Sequence, residues 1–309
     1  MPPSHQTEES IRELLSDVML DFPDTQHRAL QTLSSLTKVS SLNRNLVAQH
    51  PDSIPAFLSL SESSSTTPTT RALALSILFN LSLNPNLKRP IASNPDLIPH
   101  LNSIILNPYS SPQLNKLAAS LICSLAMLDK NKAGFGVLGT VSAIIKALEA
   151  SATNAIHHLL SSLTELCQFH GNCTVAVRCG VVPVLMRMVG GAADDRLGSS
   201  LAVLSLLARF EEGIGAIREK EGVVGMLVES LKRGCMASKE SATEILLRLL
   251  EEEELMREAV VSMPEFPTLL ADLSIRGSAK AREKVGVLMR KMMEADLDCY
   301  VEGNPLVLH

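Results

Sequence analysis

Apolar residues recur along this chain in blocks that each end with an apolar residue followed, three positions later, by leucine. The closing leucines are separated by 45, 44, 41, 41 and 43 residues. A constant period over most of a sequence is typical of repeated helical units, each of which buries its apolar face against its neighbours. The pairs are Leu33/Leu36, Leu78/Leu81, Ile122/Leu125, Leu163/Leu166, Leu204/Leu207 and Leu247/Leu250.

A turn followed by a second apolar helix is an independent marker with the same period. In the clearest copy, residues 179–189, a glycine precedes a helix with proline in its first turn. Positions equivalent to Pro183 fall at 55, 99, 142, 183, 225 and 267. We expect a left-handed backbone conformation at each turn, supplied by glycine or, in the earlier copies, by aspartate. These residues are Asp52, Asp96, Gly139, Gly180 and Gly222.

The two markers predict that each repeat contains a long inner helix, a short helix, a turn and a further helix. We expect a disordered tail at 1–9, an N-terminal capping helix at 10–24, the repeat domain at 25–294 and a C-terminal tail at 295–309. Terminal helices of this kind cover the ends of a stack. The serine- and threonine-rich residues 61–70 predict a flexible loop, with a site of regulatory phosphorylation as the alternative.

Composition and charge exclude several classes of function. Of the 309 residues, 46% are hydrophobic and only 3% aromatic, which suits a long aliphatic core. The formal net charge is −5, and dispersed lysines and arginines form no basic stripe for a nucleic acid. Neither a secretory signal nor a membrane-spanning stretch is present in the sequence. We therefore expect a cytoplasmic or nuclear protein, or one found in both places, whose six cysteines are reduced.

Two short patterns have the residue types of chemical sites but fit the repeat better. Residues 134–139 match the dinucleotide fingerprint GxGxxG, yet they follow a predicted helix rather than a strand. Cys167, His170, Cys173 and Cys179 are of zinc-binding type, but Cys167 ends an inner helix and Cys179 precedes a turn, which favours free thiols. No nucleophile elbow or phosphate loop occurs. We therefore expect no enzyme activity, no metal and no cofactor.

The stretch 72–82, ALALSILFNLS, followed by LIPHL at 97–101, resembles the armadillo repeat. The resemblance covers residues 25–294 and is greatest to the armadillo region of plant U-box proteins. It implies an all-α, right-handed armadillo-type α-solenoid of about six repeats with capping helices, whose inner helices line a concave groove. In such grooves an asparagine grips the backbone of an extended peptide. Only repeat two has this asparagine, as Asn80, and no repeat has the tryptophan used by importin-type grooves.

The register of the repeats assigns two residues of each inner helix to this groove. One stands at the asparagine position and the other four residues earlier, one turn away on the same helix face. Polar or small residues in the first four repeats predict a backbone-binding half, and apolar residues in the last two predict a hydrophobic patch, unless Leu206 and Leu249 are buried. The groove residues are Gln31, Ser35, Ser76, Asn80, Ser120, Ser124, Ser161, Glu165, Ala202, Leu206, Ile245 and Leu249.

These observations predict a non-catalytic scaffold that binds one or more protein partners, an extended peptide segment among them, in the concave groove. The alternative, implied by the resemblance, is a substrate-recognition or regulatory component related to plant U-box ubiquitin ligases. Because the first predicted helix begins at Ser10, we expect no U-box ahead of the repeats. The acidic run 251–254 predicts either a solvated helix end or a contact for a basic partner. Nucleic acids, membranes and small-molecule cofactors are not expected as partners.

Overall fold

The structure, a computed structural model, consists of helices joined by short turns. It describes residues 5–20, 22–63, 65–150, 155–191, 194–252, 259–260 and 262–302, and no strand occurs among these residues. The chain forms two units, Met1–Cys179 and Gly180–His309, called unit 1 and unit 2. The boundary between them falls inside the predicted fourth repeat, at its turn.

Twelve helices make up the described part of unit 1. They are α1 (His5–Met19), α2 (Pro23–Val39), α3 (Ser41–Gln49), α4 (Ser53–Glu62), α5 (Pro68–Ser82), α6 (Pro85–Ala92), α7 (Leu97–Leu106), α8 (Pro112–Ala126), α9 (Asp129–Val137), α10 (Thr140–Glu149), α11 (Ile156–Leu166) and α12 (His170–Arg178). The inner helices α2, α5, α8 and α11 pack side by side in chain order, while α4, α7 and α10 pack against them. This is the helix order that the two sequence markers predict.

Seven helices make up the described part of unit 2. They are α13 (Val181–Gly190), α14 (Asp194–Leu207), α15 (Glu211–Arg218), α16 (Val223–Arg233), α17 (Met236–Glu252), α18 (Phe266–Arg276) and α19 (Ala279–Glu302). The inner helices here are α14, α17 and α19, which again pack in chain order. Their partners α13, α16 and α18 each contact the inner helix that follows them in the chain.

A capping hydroxyl and a proline begin two of the inner helices. Thr67 Oγ1 accepts a hydrogen bond from Thr70 N at 3.2 Å ahead of α5, and Ser111 Oγ accepts one from Leu114 N at 3.2 Å ahead of α8. Proline follows each cap, where its missing N–H costs nothing. Because α5 begins at Pro68 and α4 ends at Glu62, the loop predicted over 61–70 is reduced to 63–67, with residue 64 outside the described residues.

The turns between the short helix and the next one are of two kinds. Gly139, Gly180 and Gly222 have φ of 79°, 77° and 72°, which confirms the predicted left-handed conformation. The same prediction is wrong for Asp52 and Asp96, whose φ of −88° is right-handed. In these copies a proline precedes the aspartate. A residue before proline favours an extended backbone, so the first of these turns bends at His50, whose φ and ψ are −78° and 118°.

Both ends of the chain are more helical than predicted. The N-terminal helix begins at His5 rather than Ser10, and α19 continues to Glu302 through the first half of the predicted C-terminal tail. Helix α1 buries Ile11 and Val18 and packs against α2, as expected of a capping helix. The remaining parts of the predicted tails, residues 1–4 and 303–309, lie outside the described residues.

Aliphatic side chains fill the core of each unit, together with three fully buried phenylalanines, Phe57, Phe135 and Phe266. Full burial of one such side chain contributes about 1.5–3 kcal/mol, which makes the leucine-rich seams the main source of stability. No single described helix is long and apolar enough to cross a membrane, and α12 with α13 meets the length and hydropathy only as a bent pair.

Candidate functional site

The exposed sides of α2, α5, α8 and α11 form a surface of unit 1, here called the groove face. Six of the eight groove residues predicted in this unit reach it. Gln31, Ser35 and Ser161 are exposed, and Ser76, Ser120 and Glu165 are half-buried. Each inner helix of unit 1 therefore presents at least one of the predicted side chains to solvent.

Asn80, predicted to grip a peptide backbone, is instead buried between α2 and α5, with 4% of its surface exposed. Its Nδ2 donates hydrogen bonds to the carbonyl oxygen of Ser34 at 3.1 Å and to Thr37 Oγ1 at 3.1 Å. Both acceptors belong to the preceding inner helix, so the amide joins repeats one and two. The prediction is wrong because this position lies in the seam where neighbouring inner helices meet.

Ser124 is the second predicted groove residue that lies in a seam rather than on the surface. Its Oγ accepts hydrogen bonds from Ser82 Oγ at 2.8 Å and from Lys88 Nζ at 2.9 Å, and its carbonyl oxygen accepts one from Lys88 Nζ at 2.5 Å. Burial lowers the pKa of Lys88, and the neighbouring Cys123 and Glu165 oppose that shift. The cluster therefore stabilises a buried ammonium group with oxygens from the next repeat.

A depression of about 600 Å³ lies in the groove face between α5 and α8. Its lining combines apolar and polar side chains, Ala72, Leu73, Pro112 and Leu117 with Ser34, Ser76, Gln113 and Lys116. At its edge the hydroxyls of Ser34 and Ser76 form a hydrogen bond of 3.1 Å that connects α2 to α5. An apolar floor with a few polar groups beside it is the usual composition of a binding site.

A lysine and two histidines continue the groove face from α8 to α11. Lys116 is exposed on α8, and His157 and His158 are exposed in the first turn of α11. Ser120 Oγ lies 3.1 Å from His158 Nδ1. Burial lowers the pKa of His158, and the charges of Lys116 and His157 lower it further. This part of the groove face is therefore an environment that disfavours additional positive charge.

At the sixth inner helix the hydrophobic patch predicted in unit 2 is absent, because Ile245 and Leu249 are fully buried. Ala202 and Leu206 are half-buried. The error comes from the sequence Leu-Leu-Arg-Leu-Leu at 246–250, which allows two registers for the leucine pair. Leu246 and Leu249 are both 0% exposed, whereas Leu247 is half-buried, so the sixth pair is Leu246/Leu249.

Charged residues occupy the exposed side of the sixth inner helix in place of that patch. Lys284 Nζ lies 2.5 Å from Glu244 Oε2, and Arg248 approaches Glu244 at 3.9 Å and Glu251 at 3.4 Å. Lys291 Nζ lies 3.1 Å from Glu251 Oε1. Burial raises the pKa of Glu244, but Lys284 and the nearby arginines outweigh it and the net shift is downward. Of the predicted acidic run, Glu251 is thus paired within the unit, and residues 253–254 lie outside the described part.

Sequence reasoning missed a set of asparagines in the short helices, of which Asn131 and Asn172 are buried and Asn43 is half-buried. Each is the third residue of its helix and donates to the carbonyl oxygen of the leucine that closes the preceding inner helix. The distances are 3.1 Å from Asn43 to Leu36, 3.0 Å from Asn131 to Leu125 and 2.9 Å from Asn172 to Leu166. These amides give a second hydrogen bond to carbonyls at the ends of the inner helices, each of which also accepts a backbone N–H. The recurrence of asparagine seven, six and six residues after the closing leucine is the signal that identifies them.

The equivalent residue of unit 2 is Gly213, the third residue of α15. A Cβ at this position would lie 2.1 Å from the carbonyl oxygen of Leu207. The short helix therefore approaches the inner helix so closely that no side chain fits between them.

Exposed apolar residues follow the inner helices of unit 1 at equivalent places. Each stands two or three residues after the closing leucine, and together they are Val39, Leu83, Met127 and Phe169. In unit 2 charged residues occur two residues after the closing leucine, namely Arg209 and Glu251. The apolar edge is thus a feature of the first four repeats.

The described cysteines and histidines do not assemble a metal site. In the part of the chain that the structure describes, no group of three or more histidine, cysteine, aspartate or glutamate side chains is placed to hold a metal ion. Cys167 and Cys173 are buried, and Cys173 Sγ donates a hydrogen bond of 2.8 Å to the carbonyl oxygen of Cys167. The interaction with Cys173, together with burial, raises the pKa of Cys167 well above its ordinary range, so this thiol stays protonated and unreactive.

Solved structures similar to this chain are built from armadillo repeats or share their helix arrangement. An engineered protein superimposes on 91% of this chain with a TM-score of 0.78 and 16% sequence identity, over 68% of its own length. A designed armadillo repeat protein in complex with the peptide (KR)4 covers 77% of this chain with a TM-score of 0.68, 12% identity and 99% of its own length. At these identities the likeness concerns the fold, which is the all-α armadillo type.

Sequence comparison is more specific. U-box domain-containing protein 8 of Arabidopsis thaliana is 30% identical over 162 residues, which are 52% of this chain and 41% of that protein. The chain thus matches less than half of the length of this relative. Residues 10–300 match the family described as the plant U-box protein ARM repeat region. Because this match covers nearly the entire chain, the protein belongs to the plant U-box ARM repeat family.

Proposed function

We propose that this chain is a non-catalytic scaffold that binds segments of partner proteins on the groove face of unit 1. The observation that supports it most directly is the depression between α5 and α8, where apolar side chains adjoin hydroxyl, amide and ammonium groups. An extended peptide offers an N–H and a C=O at every residue, and these groups need partners when water is displaced. The polar side chains of the groove face can provide such partners.

The location of the proposed site follows from which polar groups remain available. Asn80 and Ser124 use their side chains to join neighbouring repeats, so they contribute to stability rather than to binding. Gln113 and Lys116 stand on the exposed side of α8 and line the depression. The designed armadillo repeat protein of the same fold was solved with a bound peptide, which agrees with peptide binding as the use of this surface.

Selection of peptides from a random library on the purified chain tests the proposal. Each selected peptide is synthesised with a fluorescent label, and its Kd is measured by polarisation for the wild type and for Gln113→Trp. The indole introduced at this exposed position fills the depression without changing the charge. We expect the affinity of Gln113→Trp to be at least about tenfold lower, because the indole clashes with the peptide and removes its contacts over the apolar floor.

The matched control is Gln49→Trp, which makes the same substitution at an exposed residue of α3, outside the inner-helix layer. Its Kd should equal that of the wild type. Equal affinities for Gln113→Trp and the wild type across all selected peptides would overturn the proposal, since binding would then occur elsewhere.

A second candidate function follows from family membership and from the relative named as a U-box protein. We infer that the scaffold selects or regulates substrates in ubiquitin transfer, with the transfer chemistry supplied by other components. In a reaction with ubiquitin, activating enzyme and a panel of conjugating enzymes, the chain alone should form no ubiquitin conjugates. Conjugates that depend on this chain alone would contradict a non-catalytic role.

The selecting role has its own test, in which the tagged chain and Gln113→Trp are expressed in the native source. Partners that the wild type retains and Gln113→Trp loses should carry ubiquitin conjugates, whose amount falls when the wild-type chain is depleted. Unchanged conjugates on those partners after depletion would rule the role out while leaving the scaffold function intact.

A further inference from the structure

We propose that the groove face takes acidic peptide segments, with an aspartate or glutamate side chain beside Lys116 and an apolar side chain over Ala72, Leu73 and Leu117. This inference rests on the proposed function and adds to it the chemical class of the partner.

The surroundings of Lys116 carry the charge argument. Lys116 is exposed, and no ion pair among the described residues involves it. Across the groove face lie His157 and His158, and the charge of Lys116 lowers the pKa of His158. Both histidines lie in the first turn of α11, at the positive end of the helix dipole. A carboxylate at this point would be attracted by the ammonium of Lys116 and by the positive end of that dipole.

The charge balance of the inner helices agrees with this local picture. The helices α2, α5, α8 and α11 bear Arg28, Lys38, Arg71 and Lys116 against Asp24 and Glu165. Glu165 acts on the buried Lys88, whose pKa it raises, so part of its charge is compensated within the seam. Arg71 acts on His100 of α7, whose pKa it lowers, and the other five charges, three positive and two negative, leave an excess of one positive charge on these helices in a protein whose formal net charge is −5.

The depression adds an apolar requirement to the electrostatic one. Its volume of about 600 Å³ lies within the range of about 300–1,000 Å³ that is typical of ligand sites. Ala72 is buried and Leu73 and Leu117 are half-buried, so a partner side chain would cover a partly hydrated apolar floor. A segment that carries both an apolar and an acidic residue matches both parts of the lining.

Other anionic partners fit the surface less well. A nucleic acid needs a row of lysines and arginines that follows its phosphates, and the groove face interrupts its basic residues with Asp24 and Glu165. A basic peptide, such as the one bound by the designed armadillo protein, also fits less well because it would place positive charge against Lys116.

Peptides selected from the random library for dependence on Gln113 supply the test. We expect these peptides to be enriched in aspartate and glutamate relative to the unselected library. Their affinity should fall about tenfold in Lys116→Glu, because the reversal removes an attraction and adds a repulsion, and it should fall as salt is raised. Lys146→Glu makes the same charge change at an exposed residue of α10, outside the inner-helix layer, and should alter the Kd less than about twofold.

Each outcome separates the inference from the proposed function. Peptides that depend on Gln113 but are neutral or basic, or that bind Lys116→Glu as well as the wild type, would overturn the acidic partner while the groove scaffold stands. Peptides that bind independently of Gln113 would refute both. If Lys116→Glu and Lys146→Glu lose the same peptide affinity, the effect comes from the net charge of the protein rather than from the groove face. That result would also overturn the inference.

Discussion

Unit 1 and unit 2 form the same kind of inner-helix layer with different chemistry in the seams. In unit 1 the seams contain Asn80, Ser124 and Lys88, each with hydrogen bonds to a neighbouring repeat. In unit 2 the sixth inner helix buries the apolar Ile245 and its closing Leu249, and the position equivalent to Asn80 and Ser124 is Arg248, which is exposed. The repeat thus requires a closing leucine and a turn, while the residues between neighbouring inner helices can be polar and paired or simply apolar.

The exposed surfaces differ in a complementary way. On unit 1, Lys116 forms no ion pair among the described residues, whereas on unit 2 the charges of Glu244, Arg248 and Glu251 compensate one another and those of α19. A surface whose charges are already paired gains little from a charged partner. The difference favours unit 1 as the binding unit and predicts where substitutions affect stability rather than binding.

The largest expected effect tests the apolar seam of unit 2. Leu249→Ala should lower the free energy of unfolding by about 3 kcal/mol, because it leaves a cavity at a fully buried position. Leu247→Ala, at the half-buried leucine of the alternative register, should cost about 1 kcal/mol. Urea unfolding measures both. Equal costs would mean that the register assigned to the sixth inner helix is incorrect.

A smaller effect tests the close approach of α15 to α14. Gly213→Ala should destabilise unit 2 by about 2 kcal/mol, because the added Cβ would overlap the carbonyl oxygen of Leu207. Gly215→Ala in the same helix has open space around its Cβ and should stabilise by about 0.5–1 kcal/mol through helix propensity. Thermal unfolding of the two variants compares them directly. If both alanines are tolerated, the contact that distinguishes α15 from the asparagine-bearing helices does not exist.

The polar seam of unit 1 should respond to a pairwise deletion. Ser124→Ala should cost about 1–2 kcal/mol, because Lys88 loses one acceptor for its buried ammonium. In a Lys88→Met background, Ser124→Ala should lower the free energy of unfolding by about 1 kcal/mol less than it does in the wild type. A double-mutant cycle measures this coupling. Ser120→Ala, on the exposed side of the same helix, should stay within about 0.5 kcal/mol of the wild type. Additive effects of the Lys88 and Ser124 changes would show that the two residues act independently.

Acid should distinguish the units through a different titrating group in each. Burial, with the charge of Arg71, lowers the pKa of His100 to about 4 against the opposing hydrogen bond with Ser61. The unfolded chain therefore binds a proton near pH 6.5 that the folded one does not, and stability is lost as the pH falls from 6.5 to 4. In unit 2 the pKa of Glu244 is lowered, so the stability that this carboxylate contributes is lost only at lower pH, below 4.5. Tm values of His100→Gln should depend less on pH between 6.5 and 4 than those of the wild type, and parallel curves would contradict this assignment.

Sequence alone predicts the fold well because the closing leucines and turn glycines are local features with one structural role each. The left-handed turns at Gly139 and Gly222 follow directly from the residue type. The turns at Asp52 and Asp96 could not be predicted in the same way, since the proline ahead of each moves the bend to another residue.

The candidate site was harder to predict, because exposure depends on how far a helix is rotated about its axis. Asn80 and Ser76 lie one turn apart on one face of α5, yet only Ser76 reaches the groove face. The sequence 246–250 contains two equally good leucine pairs, and a shift of one residue exchanges the buried Leu249 for the exposed Arg248. Periodicity identifies the face of a helix, but neighbouring helices decide which residues of that face are covered.

The hydrogen bonds of Lys88 also constrain the order in which the chain can complete its structure during synthesis. Lys88 lies on α6, but its acceptors belong to Ser124, which leaves the ribosome 36 residues later. Until then the ammonium keeps its water and the second repeat stays open on one side. We therefore expect the first repeats to close in sequence during synthesis, and a shortened chain that ends ahead of Ser124 to retain a hydrated, incompletely packed final repeat.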